Sequence, residues 1–343
     1  MYRILEPLET AKFKFKNRLI MPPMATQKCE KGGEMNDKII NYYRERAQGA
    51  YLSLIIIEHS YVDPAGQYRV ILTSVSDDEK IPGMKKLAAA IQAEGVSTVM
   101  QLNHAGTTAS SKITGLDVVG PSAVKSRVAL GDDLPRPLTL AEIKTIISRF
   151  AEAARRVKAA GFDGVEIHSA HGYLLNQFYS PLSNHRADQY GGSFDNRIRV
   201  HLEIIEAVRE VVGQDYPVFL RLGACDYMEG GNTIEDGVRA ALAFEKAGVD
   251  VLDISGGLCS YQHPSNTNSG YFADASAAIK EAVSIPVILT GGIRDMHAAE
   301  QLLAENSADL IGVGRAIMKD PDWAKNNSAL LSNVREKAAV PCD

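Results

Sequence analysis

TLAEIKTIISRFAEAARRVKAAGFDGVEIH, at Thr139–His168, combines one helical pattern with one strand pattern. Apolar residues recur at three- and four-residue spacing and form one stripe of a helix, at Ile143, Ile146, Ile147, Phe150, Ala154 and Val157. Thr139 and Glu142 match a capping box at the start of this helix, and Gly161 is a typical ending residue. The apolar run Gly164–His168 is typical of a strand buried on both faces. The segment therefore predicts a helix followed directly by a parallel strand.

The same alternation of apolar runs and helical segments recurs along the whole chain. Strands are predicted over Arg18–Met24, Leu52–Glu58, Ser97–Asn103, Gly164–His168, Val218–Leu222, Val249–Ile254, Val287–Thr290 and Leu310–Gly314. Helices are predicted over Asp37–Gln48, Ile81–Glu94, Thr139–Ala160, Arg199–Val212, Ile234–Ala247, Ala273–Val283, Met296–Asn306 and Asp322–Glu336. This alternation favours an α/β protein built as a (β/α)8 TIM barrel over an open doubly wound sheet.

The chain shows no linker between domains, so we expect residues 1–343 to form a single domain. Residues 105–138 are rich in Gly, Ser and Pro and weakly periodic, which predicts an extended loop after the third strand.

Composition narrows the class of protein. Hydrophobic residues make up 45% and charged residues 23% of the chain, as in globular proteins. The formal net charge of −5, without a long basic run, argues against a nucleic-acid partner. Because neither a signal peptide nor a membrane-spanning apolar run is recognisable, we expect a cytoplasmic protein that acts on small molecules. The four cysteines form no CxxC pair, which argues against a disulfide framework, a zinc knuckle or an iron–sulfur cluster.

Chemically active side chains fall at the predicted carboxyl ends of the strands, where TIM-barrel active sites lie. Gln101 lies on the third strand, His168 ends the fourth, and Arg221 lies on the fifth. His171 and Tyr173 follow just beyond the fourth strand. We therefore expect these five side chains to face one site.

Glycines follow the last strands. Gly292 and Gly314 lie after strands seven and eight, where loops of such barrels often bind phosphate through backbone N–H groups. Arg315 would add a positive charge. Any one of these glycines could simply turn the chain. Two of them in the appropriate loops, with an arginine adjoining one, favour a phosphate-bearing ligand.

His168 and His171 have two possible uses. Two imidazoles can bind zinc, but catalytic zinc needs a third protein ligand, for which Asp226 and Asp253 are the candidates. The two rings could instead donate hydrogen bonds to one substrate oxygen, and the phenol of Tyr173 could then deliver a proton. A metal-dependent hydrolase or lyase therefore remains the alternative to an enzyme in which the histidines donate hydrogen bonds and Tyr173 donates a proton. A Schiff-base aldolase is disfavoured because no lysine ends a predicted strand.

A longer motif points to a known family. Glu166–Arg199 reads EIHSAHGYLLNQFYSPLSNHRADQYGGSFDNRIR, and it is supported by NRLIMPPM at Asn17–Met24, QLNHAG at Gln101–Gly106 and GVGR at Gly312–Arg315. Over essentially its whole length the chain resembles the old yellow enzyme family of FMN-dependent ene-reductases, and its short bacterial group in particular. The resemblance implies a homo-oligomer that binds FMN, accepts hydride from NAD(P)H and reduces an activated C=C bond by a ping-pong mechanism.

The resemblance also implies roles for individual residues. Pro23 and Met24 would contact the flavin through their backbones, Gln101 would bind its pyrimidine edge, and Arg221 would lie near N1 and O2. A guanidinium there stabilises the anionic reduced ring. The FMN phosphate would be held by Gly292, Gly314 and Arg315. The substrate oxygen would be bound by His168 and His171, with Tyr173 as proton donor.

Several positions depart from the family pattern. Ala25 stands where the family has a Cys or Thr that contacts the flavin, and His59 stands where a small residue contacts the ring. Gln27 replaces a tyrosine of the substrate pocket. We expect these changes to alter the flavin potential and the substrate scope. Residues 338–343 contain no arginine equivalent to the one that reaches a neighbouring subunit's site in the short bacterial group, so a shared site is not expected.

Three readings follow from the sequence. They are an FMN ene-reductase, a metal-dependent hydrolase or lyase that uses His168 and His171, and a barrel that binds flavin or another phosphate without turnover. A bound yellow chromophore separates the second reading from the other two. Consumption of NAD(P)H in the presence of an enone separates the first from the third.

Overall fold

Parallel strands form a closed barrel in the computed structural model, which describes residues 2–129 and 131–328. In chain order the strands are β1 (Leu19–Met21), β2 (Leu54–Tyr61), β3 (Ser97–Asn103), β4 (Gly164–Ser169), β5 (Val218–Cys225), β6 (Val251–Gly256), β7 (Val287–Thr290) and β8 (Leu310–Gly312). Each strand pairs with the next, and β8 closes the barrel by pairing with β1, with Ile311 opposite Leu19. The predicted (β/α)8 barrel is confirmed.

Helices follow the strands and surround the barrel. They are α1 (Asp37–Ala47), α2 (Ile81–Gln92), α3 (Leu140–Ala159), α4 (Phe194–Val212), α5 (Ile234–Ala247), α6 (Ala273–Ala282) and α7 (Met296–Ala304). Helix α3 has both hydrogen bonds of the predicted capping box between Thr139 and Glu142. Of the helix predicted over Asp322–Glu336, residues 323–328 are helical, and residues 329–336 lie outside the described part of the chain. Among the described residues, no helix has the length and apolar character needed to span a membrane.

Many element boundaries differ from the predicted ones by a few residues, and two of these differences have a clear physical reason. Helix α4 begins at Phe194 and not at Arg199, because the side chain of Ser193 caps it by accepting a hydrogen bond from the Asn196 amide. Strand β1 ends at Met21, before Pro22 and Pro23, whose missing N–H groups cannot extend a ladder. The glycine-rich segment after β3 contains a short helix, Ser111–Thr114, and two paired strands, Val119–Gly120 and Arg136–Pro137.

Apolar side chains fill the amino-terminal half of the barrel. The cluster is made of Phe13, Phe15, Ile20, Leu54, Ile56, Val99, Phe219, Val251, Ile288 and Leu310. Phe13 and Phe15 come from the hairpin that precedes β1, and the Phe13 ring meets Phe219 edge-on with centroids 5.5 Å apart. Because the amino-terminal half of the barrel interior is packed, the interior is left free for a cavity at the carboxyl ends of the strands.

Candidate active site

A cavity of about 350 Å³ opens at the carboxyl ends of the barrel strands. Nearly all of the candidate residues from the sequence line it together: Pro23, Met24, Ala25, His59, Gln101, His168, His171, Tyr173, Arg221, Gly292, Gly314 and Arg315. Gln27 is the exception, because it is exposed and does not line the cavity. Further lining residues that sequence reasoning missed include Tyr68, Arg69, Ser255, Tyr261, Tyr271 and Arg294.

His168 and His171 form the first functional pair. His168 lies near the end of β4, and His171 lies two residues beyond the strand with a φ of 62°, a left-handed conformation that is unusual for a non-glycine residue. Their ring centroids are 5.1 Å apart and the rings are nearly perpendicular. Nε2 of His171 lies 2.7 Å from Oγ of Ser255, which fixes the ring. Nδ1 of His168 is buried and has no hydrogen-bond partner among the residues that the structure describes.

Burial sets the protonation of both rings. Desolvation, with smaller contributions from Arg221 and His59, lowers the pKa of His168 and of His171 well below the usual histidine value. Each imidazole is therefore neutral at physiological pH and carries a single N–H group. A buried pair of this kind can donate to a carbonyl oxygen without adding charge to the cavity.

Tyr173 lies beside the histidines at the start of the short helix Leu174–Tyr179. Its ring centroid is 5.1 Å from that of His168 and 5.3 Å from that of His59. Burial and the neighbouring Tyr68 raise the pKa of the Tyr173 phenol well above its usual value. Tyr173 therefore holds its proton and can donate it only to a strongly basic atom, such as a developing carbanion.

A buried ion cluster lies beneath these residues. Nε of Arg221 is 3.2 Å from Oδ2 of Asp253, and Nε2 of Gln101 donates to Oε2 of Glu166 at 2.7 Å. Desolvation, followed by repulsion from Asp253, raises the pKa of Glu166 well above its usual value. Glu166 is therefore protonated, and Asp253 balances the charge of Arg221. Glu166 was not singled out in the sequence, although its strand was predicted to be buried on both faces, because the sequence does not show which side chains it contacts.

The carboxylates considered as zinc ligands have other partners. Asp253 is paired with Arg221, and its Oδ1 accepts a hydrogen bond from Oγ1 of Thr290 at 3.2 Å. Asp226 accepts hydrogen bonds from Oγ of Ser180 and from the Leu258 amide, both at 2.7 Å. Within residues 2–129 and 131–328, no three His, Cys, Asp or Glu side chains are grouped so that they could hold a metal ion. The metal-dependent alternative is therefore not supported.

The loops after β7 and β8 form a cradle of bare backbone. Gly292 has a φ of 66°, and a Cβ atom there would lie 2.6 Å from the Tyr271 ring. A Cβ atom on Gly314 would lie 2.9 Å from Sδ of Met24. Arg315 and Arg294 line the cavity next to these glycines. The close approach of backbone and the two guanidinium groups fit a phosphate group.

Comparison with known proteins identifies the family. Residues 3–331 match the model described as the NADH:flavin oxidoreductase / NADH oxidase family. The NADH oxidase of Thermoanaerobacter brockii is 43% identical over 316 residues, which are 90% of this chain and 48% of that protein. The chain thus spans about half the length of that relative. The NADPH dehydrogenase of Clostridium acetobutylicum is 36% identical over 97% of this chain and 96% of its own length.

Structural similarity agrees with the sequence match. The old yellow enzyme homologue from Zymomonas mobilis has a TM-score of 0.81 and 26% identity, over 99% of this chain and 94% of that structure. The resemblance to old yellow enzymes, which Glu166–Arg199 predicted, is confirmed. The chain belongs to the NADH:flavin oxidoreductase / NADH oxidase family.

Proposed function

We propose that this protein is an FMN-dependent oxidoreductase that uses NAD(P)H to reduce an activated C=C bond, of the enone, enoate or nitroalkene type. The observation that carries the proposal is the grouping of two neutral imidazoles, His168 and His171, beside the protonated phenol of Tyr173. They share their cavity with a backbone cradle that fits a phosphate.

The residues of the cavity fit FMN. Backbone of Pro23 and Met24, together with Ala25 and His59, would border the ring, and Gln101 and Arg221 would bind its polar edge. The phosphate would be held by Gly292, Gly314 and Arg315, with Arg294 as an additional cation. Bound FMN would supply the redox chemistry, by accepting hydride from NAD(P)H and passing it to the electron-poor carbon.

The proton chemistry belongs to the side chains of this chain. His168 and His171 donate hydrogen bonds to the oxygen that activates the alkene and stabilise the charge that develops there. Tyr173 then gives its proton to the carbon next to the carbonyl group. Gln27 does not border the cavity, so its role as a substrate residue remains a prediction from the sequence alone.

An absorption spectrum between about 300 and 550 nm, a window that covers the bands of a bound flavin, tests the proposal. We expect flavin bands that bleach when NADPH or NADH is added without oxygen and that return when 2-cyclohexenone follows. Bands that bleach but do not return with any activated alkene would support a flavin protein without alkene turnover. A colourless protein that cannot bind added FMN would contradict the proposal altogether.

Three other expectations remain predictions. They are the single domain over residues 1–343, the cytoplasmic location and the homo-oligomeric assembly. The residues 338–343, on which the prediction about a shared site rests, lie outside the described part of the chain.

A further inference from the structure

Arg69 lines the cavity but makes no polar contact with its guanidinium group in the part of the chain that the structure describes. Its Nε atom is buried and has no hydrogen-bond partner. Asp63, six residues earlier in the chain, is paired with Arg149, with its Oδ2 3.4 Å from Nε. Among the described residues that line the cavity, none is acidic. Arg69 therefore carries a partly desolvated charge that no residue in the described part of the chain balances.

The other arginines of the cavity differ from Arg69. Arg221 is paired with Asp253, and Nη2 of Arg315 lies 3.4 Å from the hydroxyl of Tyr271, next to the proposed phosphate cradle. Arg294 follows the cradle residue Gly292 in sequence and also lines the cavity. Each of these three has a partner in the protein or a place in the proposed FMN site. Arg69 has neither.

Arg69 lies on the Tyr173 side of the cavity. Its guanidinium carbon is 5.2 Å from the centroid of the Tyr68 ring, and the Tyr68 ring is 5.6 Å from that of Tyr173 and 5.4 Å from that of His59. Its charge helps to lower the pKa of His59 to about 3, after desolvation and Arg221, and opposes the rise in the pKa of Tyr173. The unbalanced cation therefore acts on the groups that face the substrate.

Leaving a cation partly desolvated without a partner costs free energy, which an anionic ligand would restore. Arginine presents a planar fork of N–H donors that matches a carboxylate. A carboxylate on the substrate and a phosphate of the nicotinamide cofactor share this oxyanion chemistry. The position next to Tyr173, which protonates the substrate carbon, favours the substrate.

We propose that Arg69 binds a carboxylate on the substrate, in addition to the oxygen held by His168 and His171. The preferred substrate class is then an electron-poor alkene that carries both an activating carbonyl group and a carboxylate. This inference rests on the proposed function, because it assigns a substrate class to the same site.

The experiment compares a charged probe with a neutral probe of the same shape. The reacting pair is 4-oxo-2-pentenoate and 4-oxo-2-pentenamide, and the non-reacting pair is 4-oxopentanoate and 4-oxopentanamide. Steady-state turnover gives KM for the first pair. Perturbation of the flavin spectrum of the oxidised holoenzyme gives a dissociation constant for the second pair without any turnover.

Arg69→Gln should raise KM and the dissociation constant for the carboxylates by about tenfold, the loss expected for one hydrogen bond to a charged group. The values for the amides should change less than twofold, on the order of experimental scatter. Arg69→Lys should raise these values for the carboxylates by an intermediate amount, because lysine keeps the positive charge but lacks the planar fork of N–H donors. Lys85→Gln removes one charge from an exposed position of α2 and should leave KM and the dissociation constant unchanged for every probe. FMN content and Tm establish that each variant is folded.

The possible outcomes are distinguishable. Arg69→Gln could weaken the binding of acids and amides equally, or weaken only the binding of NADPH or NADH. Either result would overturn the carboxylate role while the proposed function stands. The proposed function itself fails if NADPH or NADH reduces the wild-type holoenzyme but the reduced enzyme converts none of 4-oxo-2-pentenoate, 4-oxo-2-pentenamide and 2-cyclohexenone. The inference is supported if both KM and the dissociation constant rise for the carboxylate probes and stay unchanged for the amide probes.

Discussion

Tyr173, His168 and His171 owe their protonation states mainly to burial, and neighbouring charges contribute less. Desolvation is the largest cause of the raised pKa of Tyr173 and of the lowered pKa of each histidine. The same physical effect therefore acts in opposite directions on an acid and on two bases, and it leaves all three side chains neutral. Neutral hydrogen-bond and proton donors suit a reaction in which negative charge develops on the substrate oxygen.

Tyr173→Phe tests the proton-donor role at the level of a single atom. We expect reduction of 2-cyclohexenone to slow by about 100-fold, a typical contribution of a general acid. Reduction of a nitro group should slow much less, because its protons are taken up by oxygen and can come from water. Stopped-flow rates of flavin reoxidation by the two substrates measure this difference.

Tyr61→Phe is the matched control for that change. Tyr61 ends β2 outside the cavity lining, and its hydroxyl donates a hydrogen bond to the Gly32 carbonyl at 3.2 Å. Both reoxidation rates should remain at the wild-type level in this variant. Equal slowing of alkene and nitro reduction by Tyr173→Phe would count against a proton donated to carbon.

At the level of elements, the turns after the strands carry the conformations that the cavity needs. Gly292, after β7, has a positive φ and lies against the Tyr271 ring. Gly161, after α3, also has a positive φ, of 85°, but a Cβ atom there would meet nothing within 4 Å. The two glycines therefore separate the cost of a left-handed backbone from the cost of a steric clash.

Gly292→Ala should weaken FMN binding, whereas Gly161→Ala should not. Both variants place a side chain on a left-handed residue and should lose about 1 kcal/mol of unfolding free energy for that reason. Only Gly292→Ala forces the Tyr271 ring or the proposed phosphate-binding turn to move, and we expect at least a tenfold rise in the FMN dissociation constant, or about 1.4 kcal/mol.

Fluorescence titration of the apoprotein with FMN, combined with urea unfolding, checks this pair of variants. Loss of FMN affinity of similar size in both would mean that general destabilisation is responsible. Unchanged affinity in Gly292→Ala would remove Gly292 from the proposed phosphate site.

For the whole molecule, buried histidines link stability to pH. His201, on α4, lies outside the cavity lining, bonds to Oγ of Ser169 through Nε2 at 2.7 Å and stacks on Phe244. Desolvation lowers its pKa from 6.5 to about 3. As the pH falls, the unfolded chain therefore binds this proton first, and the stability that His201 contributes near neutral pH is lost between pH 6.5 and about 3.

His201→Gln should make the protein less sensitive to acid, although it removes packing at every pH. In this window the free energy of unfolding should fall less steeply than in the wild type, by about 1.4 kcal/mol per pH unit for one proton. Urea unfolding of the holoprotein at a series of pH values gives the slopes. His297→Gln, at an exposed position of α7, is the control and should leave the slope unchanged. Parallel pH profiles for His201→Gln and wild type would show that His201 takes no part in this linkage.

The sequence predicted the barrel more fully than it predicted the site. The apolar runs and capping residues are local signals, so the order of strands and helices could be read directly, and errors were confined to boundaries such as the start of α4 at Phe194. Gln27 shows the limit for the site: it is only two residues from Ala25, yet it faces solvent and does not line the cavity. Its direction depends on a backbone φ of 55°, which no sequence pattern indicated.

The sequence by itself determined the (β/α)8 order, the family, and the strand-end residues that face one another across the cavity, because side chains at the carboxyl ends of parallel strands must meet. Only the tertiary structure decided which charges are balanced. Asp253 pairs with Arg221, a residue 32 positions away, and Glu166 is buried with Gln101, 65 positions away. Arg69 is left without a partner among the described residues. Burial and pairing depend on contacts between distant segments, and these contacts arise only when the chain folds.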